Sequence, residues 1–252
     1  MCNKKALDTG KDLLIRRYKR HLRLEDEGKY QPHWYENAFD APEDPIISGP
    51  GFFDFAHWGL VPFWVKDQDQ MIQTRGRTVN AKAETVFELP SFRESILRRR
   101  CLVPATGFFE HMHLNSRTNI PFFIQVPSME IFSFAGIWDL WKDPVTRLPY
   151  YSYSILTVPA NALMSRIHNS KKRMPLVLQP GLEEEWIRPD LPQEEVRDIL
   201  KIPGPPMVAH SVSRLITSRV DNPDQPAVQA FQPWPELEGA DFSATEETTP
   251  PA

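Results

Sequence analysis

CLVPATGFFEHM, residues 101–112, is the stretch on which the fold turns. Residues 101–104 and 107–112 are apolar runs of strand length, too short for helices. Further strands are expected at 121–126, 131–138 and 150–158. The last alternates Tyr with Ser before becoming Ile-Leu-Thr-Val, as a half-buried strand does. KDPVTRLP at 142–149 has the chemistry of a hairpin turn. Upstream, FAHWGLVPFW at 55–64 reads as a buried strand ending in a turn, and 31–52 as loop with short extended pieces. An amphipathic helix is expected at 11–23, with Leu13, Leu14 and Tyr18 on one side. Short helices are expected at 91–99, 160–167, 182–188 and 192–201, and a strand at 175–178. Strands and helices do not alternate regularly, which favours α+β with antiparallel pairing over a doubly wound α/β sheet.

A chain of 252 residues can bury a sizeable core, as one large domain or two small ones. Beyond 231 it is Pro, Glu, Ser and Thr with few apolar residues, so a domain over 1–230 and a disordered tail over 231–252 are expected. No run is apolar enough to span a bilayer, and MCNKKALDTGKDLL has no secretory h-region. Cys2 and Cys101 alone argue against a disulfide scaffold or a four-cysteine zinc site, and for a reducing, cytoplasmic compartment. Cys101 reads as a core residue. The net charge of −4 argues at first against nucleic acid, but its sign is uneven. Residues 11–23, 93–100 and 166–173 are basic; 183–195 and the tail are acidic. Local basic patches bind phosphate whatever the total charge, and they equally make solvated helix faces.

Several residues could carry chemistry. Removal of Met1 would leave Cys2 with an amine and a thiol on neighbouring carbons. Such a pair condenses with an aldehyde, first to an imine and then, by an intramolecular step, to a thiazolidine. The bland alternative is a frayed terminal residue. Asn80 and Lys82, in VNAKAET, offer a donor, an acceptor and a cation, or a simple strand end. Glu110 sits among aromatics in GFFEH, where desolvation would raise its pKa into a general-acid range, unless it faces water. IHNSKKRMP at 167–175 puts His168 beside Lys171, Lys172 and Arg173, an acid/base with phosphate holders or a basic surface loop. Trp58 and Trp64 suit base stacking or core packing. Glu110, His111 and His113 lack the HEXXH spacing of a metal site, no P-loop, GxGxxG or GxSxG occurs, and His57 has no evident partner.

In order along the chain, these pieces resemble the SRAP family, the SOS-response-associated peptidases that crosslink to abasic sites. Cys2 matches its N-terminal cysteine, WGLVPFW at 58–64 its WGLIPxW block, and NAKAET at 80–85 its NARAET. SFRESILRRRCLVPATGFFEH at 91–111 is similar to FR…RRCLVPxxGFYEW. FSFAGIWDLW at 132–141, SILTVPAN at 154–161, IHNSKKRMPLVL at 167–178 and VSRLITSRVDNP at 212–223 follow. The resemblance implies mainly antiparallel sheets forming a barrel-like core flanked by helices, with a basic DNA-binding cleft. It implies a sensor that crosslinks abasic sites in single-stranded DNA through a Cys2 thiazolidine, with lyase activity as an option. Met1 would leave by autoproteolysis or by an aminopeptidase.

The same resemblance assigns roles. Cys2 is the nucleophile; Asn80 positions the terminus or the sugar; Glu110 shuttles protons during ring opening; His168 assists imine and thiazolidine steps. Lys4, Lys82 and Arg173 would contact phosphates, Trp58 would stack or wall the cleft, and Thr157 would border the pocket. No cofactor, metal or membrane partner is implied, and a monomer is expected, nucleoid-associated when on DNA. Departures lie beside the site. Asn3 and Lys4 stand where the family has Gly and Arg, Lys82 where it has Arg, and His111 where it has Trp. Two rival functions remain: a cysteine peptidase with a Cys2–His168 dyad, and a non-catalytic single-stranded DNA-binding module.

Overall fold

The computed structural model describes residues 2–115, 118–218 and 220–242. Twelve strands and six α-helices occur among them, joined by single 3-10 turns. The strands are β1 (Lys4–Leu7), β2 (His33–Asn37), β3 (Glu43–Ile46), β4 (Asp54–Trp58), β5 (Asn80–Lys82), β6 (Arg100–Ala105), β7 (Gly107–His113), β8 (Asn119–Gln125), β9 (Phe132–Lys142), β10 (Pro149–Pro159), β11 (Arg173–Pro175) and β12 (Val208–Ser211). The helices are α1 (Lys11–Tyr18), α2 (Gln68–Arg75), α3 (Arg93–Arg98), α4 (Ala162–Ile167), α5 (Glu183–Trp186) and α6 (Gln193–Ile199).

One sheet runs β12-β8-β7-β1-β2, all antiparallel. The other runs β3-β4-β10-β9-β6, with β5 and β11 also on β10. Past the end of β3, Ile47 exchanges two backbone hydrogen bonds with Leu102 of β6, at 3.0 and 2.8 Å. This contact brings the second sheet close to a closed barrel. The expected α+β class with a barrel-like core therefore holds, with two parallel pairings, β10 with β4 and β10 with β5, added to the antiparallel set.

β10 is long enough to serve two neighbourhoods. Its first half pairs with β9 in the hairpin expected around 142–149. Its second half leaves β9 and takes β5 on one edge and β11 on the other. Asn80 is thereby set opposite Ile155, and Arg173 opposite Pro159.

Several expected elements end early for local reasons. α1 stops at Tyr18 because Lys19 adopts the left-handed region (φ 53°) and closes the helix onto Ile15 O. The strand expected over 55–64 ends at Trp58. Gly59 has φ 114°, and a Cβ there would lie 2.6 Å from Arg75 O. Residues 31–52 hold two full strands, β2 and β3, where loop with short extended pieces was expected. The supposed tail is ordered through Phe242. Phe231 bridges Val212, Ala209 N donates to Phe242 O, and Trp234 donates to Val212 O. Trp234, Leu237 and Phe242 pack against the core, while Phe231 is 67% exposed. Residues 243–252 of the expected tail lie outside the described residues.

A buried ionic cluster joins the two sheets. Lys5 of β1 is wholly buried and donates to Glu36 of β2 and, at 2.9 Å, to Asp44 of β3. Tyr153 of β10 donates its hydroxyl to Asp44. The Lys5 ammonium also lies 5.8 Å from the Trp58 ring centroid. Burial alone would lower the Lys5 pKa, but the two carboxylates outweigh it and hold it above its usual range. Burial, then the charge of Asp44, pushes Glu36 up to about 8. Burial disfavours the ionised Asp44, but Lys5 and the protonated Glu36 hold it below its usual range. Near neutrality the cluster is thus one ammonium, one carboxylate and one neutral acid, with no net buried charge.

Lys5→Met should destabilise the fold by roughly 3–5 kcal/mol in urea unfolding, because it strands buried carboxyl groups. Glu36 binds a proton in the folded state that the unfolded chain has released above the ordinary carboxylate range. Stability should therefore fall as pH rises from about 5 to 8, at up to about 1.4 kcal/mol per pH unit. Glu36→Gln should flatten that slope; an equal slope in the variant would refute the protonation assignment.

Candidate functional site around Cys2

The chain enters β1 from Cys2, whose side chain is 1% exposed within the core. Its thiol lies 3.7 Å from Lys4 O. Burial, then the negative charge of Glu110, pushes the thiol pKa up to about 12. Asn80, at the start of β5, donates from Nδ2 to Cys2 O at 2.7 Å. Asn80 Oδ1 is buried and has no hydrogen-bond partner among the described residues. A buried amide oxygen left without a donor is costly, so this is an acceptor waiting for a donor beside the terminus.

Glu110 projects from β7 and is 8% exposed. Its Oε1 accepts from His111 N at 3.2 Å, and its Oε2 lies 3.8 Å from His168 Nδ1. That spacing makes an ion pair when His168 is protonated. His168 caps the end of α4 and is 3% exposed. Its Nδ1 is 2.7 Å from Arg173 O, so Nδ1–H donates there in the neutral ring. Asn169, the next residue, exchanges two hydrogen bonds with the His113 backbone and docks this loop on β7. Cys2, Asn80, Glu110 and His168, far apart in sequence, are therefore brought together.

The cations expected to hold phosphate divide. Lys82 is exposed, as are Lys171 and Lys172. Lys4 is half-buried, and burial lowers its pKa against the pull of Glu110. Arg173 is already engaged: its guanidinium grips Glu84 with two bonds and donates to Thr157 O at 2.5 Å. Only its Nε, buried, lacks a partner among the described residues. The larger basic stretches are partly spent inside the fold, while Lys11, Arg16, Lys19, Arg93 and Arg98 stay exposed. Arg17 pairs with Glu183 and Arg20 with Glu184, Arg99 with Asp139, and Arg100 binds backbone carbonyls.

Two expected contact residues do not reach a surface. Trp58 is fully buried, donating to Val79 O and stacked on Tyr153, so it cannot stack on a base. Thr157 is also fully buried, with its hydroxyl 3.4 Å from Ala81 O. The exposed aromatics lie elsewhere. Phe63 (57%) and Trp64 (40%) follow Pro62 in the same WGLVPFW block, and Phe39 (56%) sits one residue from Ala38, whose N donates to Asn3 O. The signal for Phe63 and Trp64 was Pro62 in the turn that follows the strand. Phe39 carried none.

His111 is part-buried on β7. Burial, then Lys4, lowers its pKa to about 4, so the ring is neutral near pH 7. His57 stacks on Tyr150 at 4.5 Å and faces Ala41 O. No group of three His, Cys, Asp or Glu among the described residues is placed to hold a metal. No helix among them is long and apolar enough to cross a membrane.

The family model for the SOS response associated peptidase (SRAP) matches residues 1–219. The abasic site processing protein YoqW of Bacillus subtilis (strain 168) is 34% identical over 203 residues, covering 78% of this chain and 85% of YoqW. The abasic site processing protein HMCES of Gallus gallus is 28% identical over 239 residues, covering 78% of this chain and 69% of its own. A crystal structure of a Bacteroides thetaiotaomicron protein superposes with a TM-score of 0.85 at 33% identity, over 92% of this chain and all of that one. On the matched span, the fold and the clustered Cys2, Asn80, Glu110 and His168, the chain belongs to the SRAP family.

Proposed function

We propose that this protein processes abasic sites in DNA by bonding covalently to them through Cys2 once Met1 has been removed. The observation that carries this reading is the orphaned Asn80 Oδ1 beside Cys2. It is an acceptor without a donor on a side chain whose amide nitrogen already bonds Cys2 O, and a free Cys2 amine would be a candidate donor for it.

The chemistry follows from the protonation states. A thiol with pKa about 12 is protonated at neutral pH, so the amine is the first nucleophile. Opening of the abasic deoxyribose moves a proton from the C1′ hydroxyl to the ring oxygen, and Glu110 would relay it. The amine adds to the C1′ aldehyde and water leaves, giving an imine. The thiol then adds to the imine carbon. Its proton passes to the nitrogen, with Glu110 and His168 as carriers, and the thiazolidine closes. No oxidant or cofactor is needed. Single-stranded DNA is the expected form, because the sugar must enter a buried site. Lys82, Lys171 and Lys172 would meet phosphates, and Phe39, Phe63 and Trp64 would stack on flanking bases. The Cys2 thiol bonds Lys4 O and carries a raised pKa, which disfavours a peptidase dyad.

Met1-free protein incubated with single-stranded DNA bearing one abasic site should give a heat-stable covalent band in denaturing electrophoresis. Cys2→Ala should give none, and absence of the band from the wild type would defeat the proposal. Cys2→Ser keeps the amine, so it should yield only an imine that borohydride traps. Glu110→Gln should slow crosslinking about 100-fold, in line with loss of a general acid–base. Because His111 is neutral far above its pKa of about 4, His111→Trp should leave the pH–rate profile unchanged between about pH 6 and 9. A moved limb in that range would put His111 in the proton relay.

A further inference from the structure

We infer that Glu84 is a positioning residue for His168, acting through Arg173; this rests on the reading of the site given above. Glu84 lies just past β5 and its side chain is 47% exposed, yet both its oxygens are held by the Arg173 guanidinium. Arg173 is only 12% exposed. The same Nη2 that meets Glu84 reaches Thr157 O at 2.5 Å and Thr157 Oγ1 at 3.2 Å. A bidentate carboxylate on one edge and a strand carbonyl on the other fix the plane of the fork.

That fork is anchored to the backbone that holds His168. Arg173 O is 2.7 Å from His168 Nδ1, and Lys172 N donates to His168 O at 2.8 Å. The turn between them is tight, with Lys172 at φ 50°. A non-glycine residue in the left-handed region persists only where its surroundings over-determine it. The Glu84–Arg173–Thr157 clamp is one such constraint, and the Asn169–His113 pair is another. His168 Nδ1 lies 2.7 Å from Arg173 O and 3.3 Å from Arg173 N; the shorter contact, to an atom that can only accept, favours the Nδ1–H tautomer with the lone pair on Nε2. The clamp thus helps to hold the carbonyl that faces His168 Nδ1, beside the β11–β10 pairing of the same residue. It also accounts for an exposed carboxylate spending itself on a cation that would otherwise bind phosphate.

Two measurements on the full chain test this. In imidazole ¹H–¹⁵N spectra, with the His168 signals assigned by their loss in His168→Gln, the wild type should show the Nδ1–H tautomer. Glu84→Ala should shift those signals toward a mixture. In crosslinking to abasic single-stranded DNA, Glu84→Ala should lower the rate at saturating DNA by about 10-fold or more, as small misplacements of a catalytic group do. The half-saturating DNA concentration should stay within about twofold, since Glu84 does not touch phosphate. Glu84→Gln, which keeps one acceptor, should fall between, and it carries the same readouts if Glu84→Ala does not fold. Unchanged His168 signals overturn the inference. So does a wild-type rate with tighter DNA binding, which would make Glu84 a competitor of phosphate. If the wild type forms no crosslink, the functional reading fails, and the imidazole spectra still decide this one.

Discussion

Lys5, with no side-chain exposure, is the constraint on which the arrangement depends. An ammonium that deep is tolerated only with carboxylate partners, and those partners come from β2 and β3. β2 belongs to the first sheet and β3 to the barrel-like one. The cluster therefore fixes where the two sheets meet, and Tyr153 ties it to β10. Since Lys5 lies three residues after Cys2, the same contacts fix where the chain's first residues emerge. A wholly apolar residue would pack in this space, but it would not dictate which strands meet there.

From that junction the site is assembled by β10. It changes neighbours halfway along, and the change puts β5 and β11 on its two edges. Asn80 comes with the first and Arg173 with the second. β7 brings Glu110 from the other sheet, and the turn after α4 brings His168. Two consequences follow for reactivity. The thiol is desolvated and its pKa raised to about 12, so in the proposed reaction the amine is the first nucleophile. His168 Nδ1 is engaged by the Arg173 backbone, so the proposed proton transfer would use Nε2.

The charge distribution has a plain explanation. The basic residues of 11–23 and the acidic ones at 183–184 are partners, as Arg17–Glu183 and Arg20–Glu184. Arg99 and Arg100 are likewise used internally. The cations left exposed include Lys82, Lys171 and Lys172 near the site and Lys11, Arg16, Lys19, Arg93, Arg98 and Arg166 from the basic stretches. A charged segment in sequence is ambiguous because pairing across the fold leaves no mark on the neighbouring residues.

The strands from β6 to β10 and the hairpin between β9 and β10 were legible because their apolar runs and turn residues are local signals. The strands β2 and β3, hidden among Pro, Gly and Asp, were not, because they are held by partners such as Lys5 and β4 and not by their own pattern. The ordering of 231–242 depends in the same way on contacts with β12 and the core. Residue types for the chemistry were legible too: an amine beside a thiol, an amide, a carboxylate among aromatics and a histidine before RMP. Whether each side chain faces the site was not. Trp58 and Thr157 turn inward, Arg173 is taken by Glu84, and Trp64 is turned out. The sequence by itself determined the class of fold, the family and the candidates for the reactive groups, because periodicity and residue chemistry are carried by the residues themselves. Only the tertiary structure decided which of those groups meet, in which protonation state and with which edge exposed. Burial and charge pairing are properties of neighbours that the chain brings together from far apart.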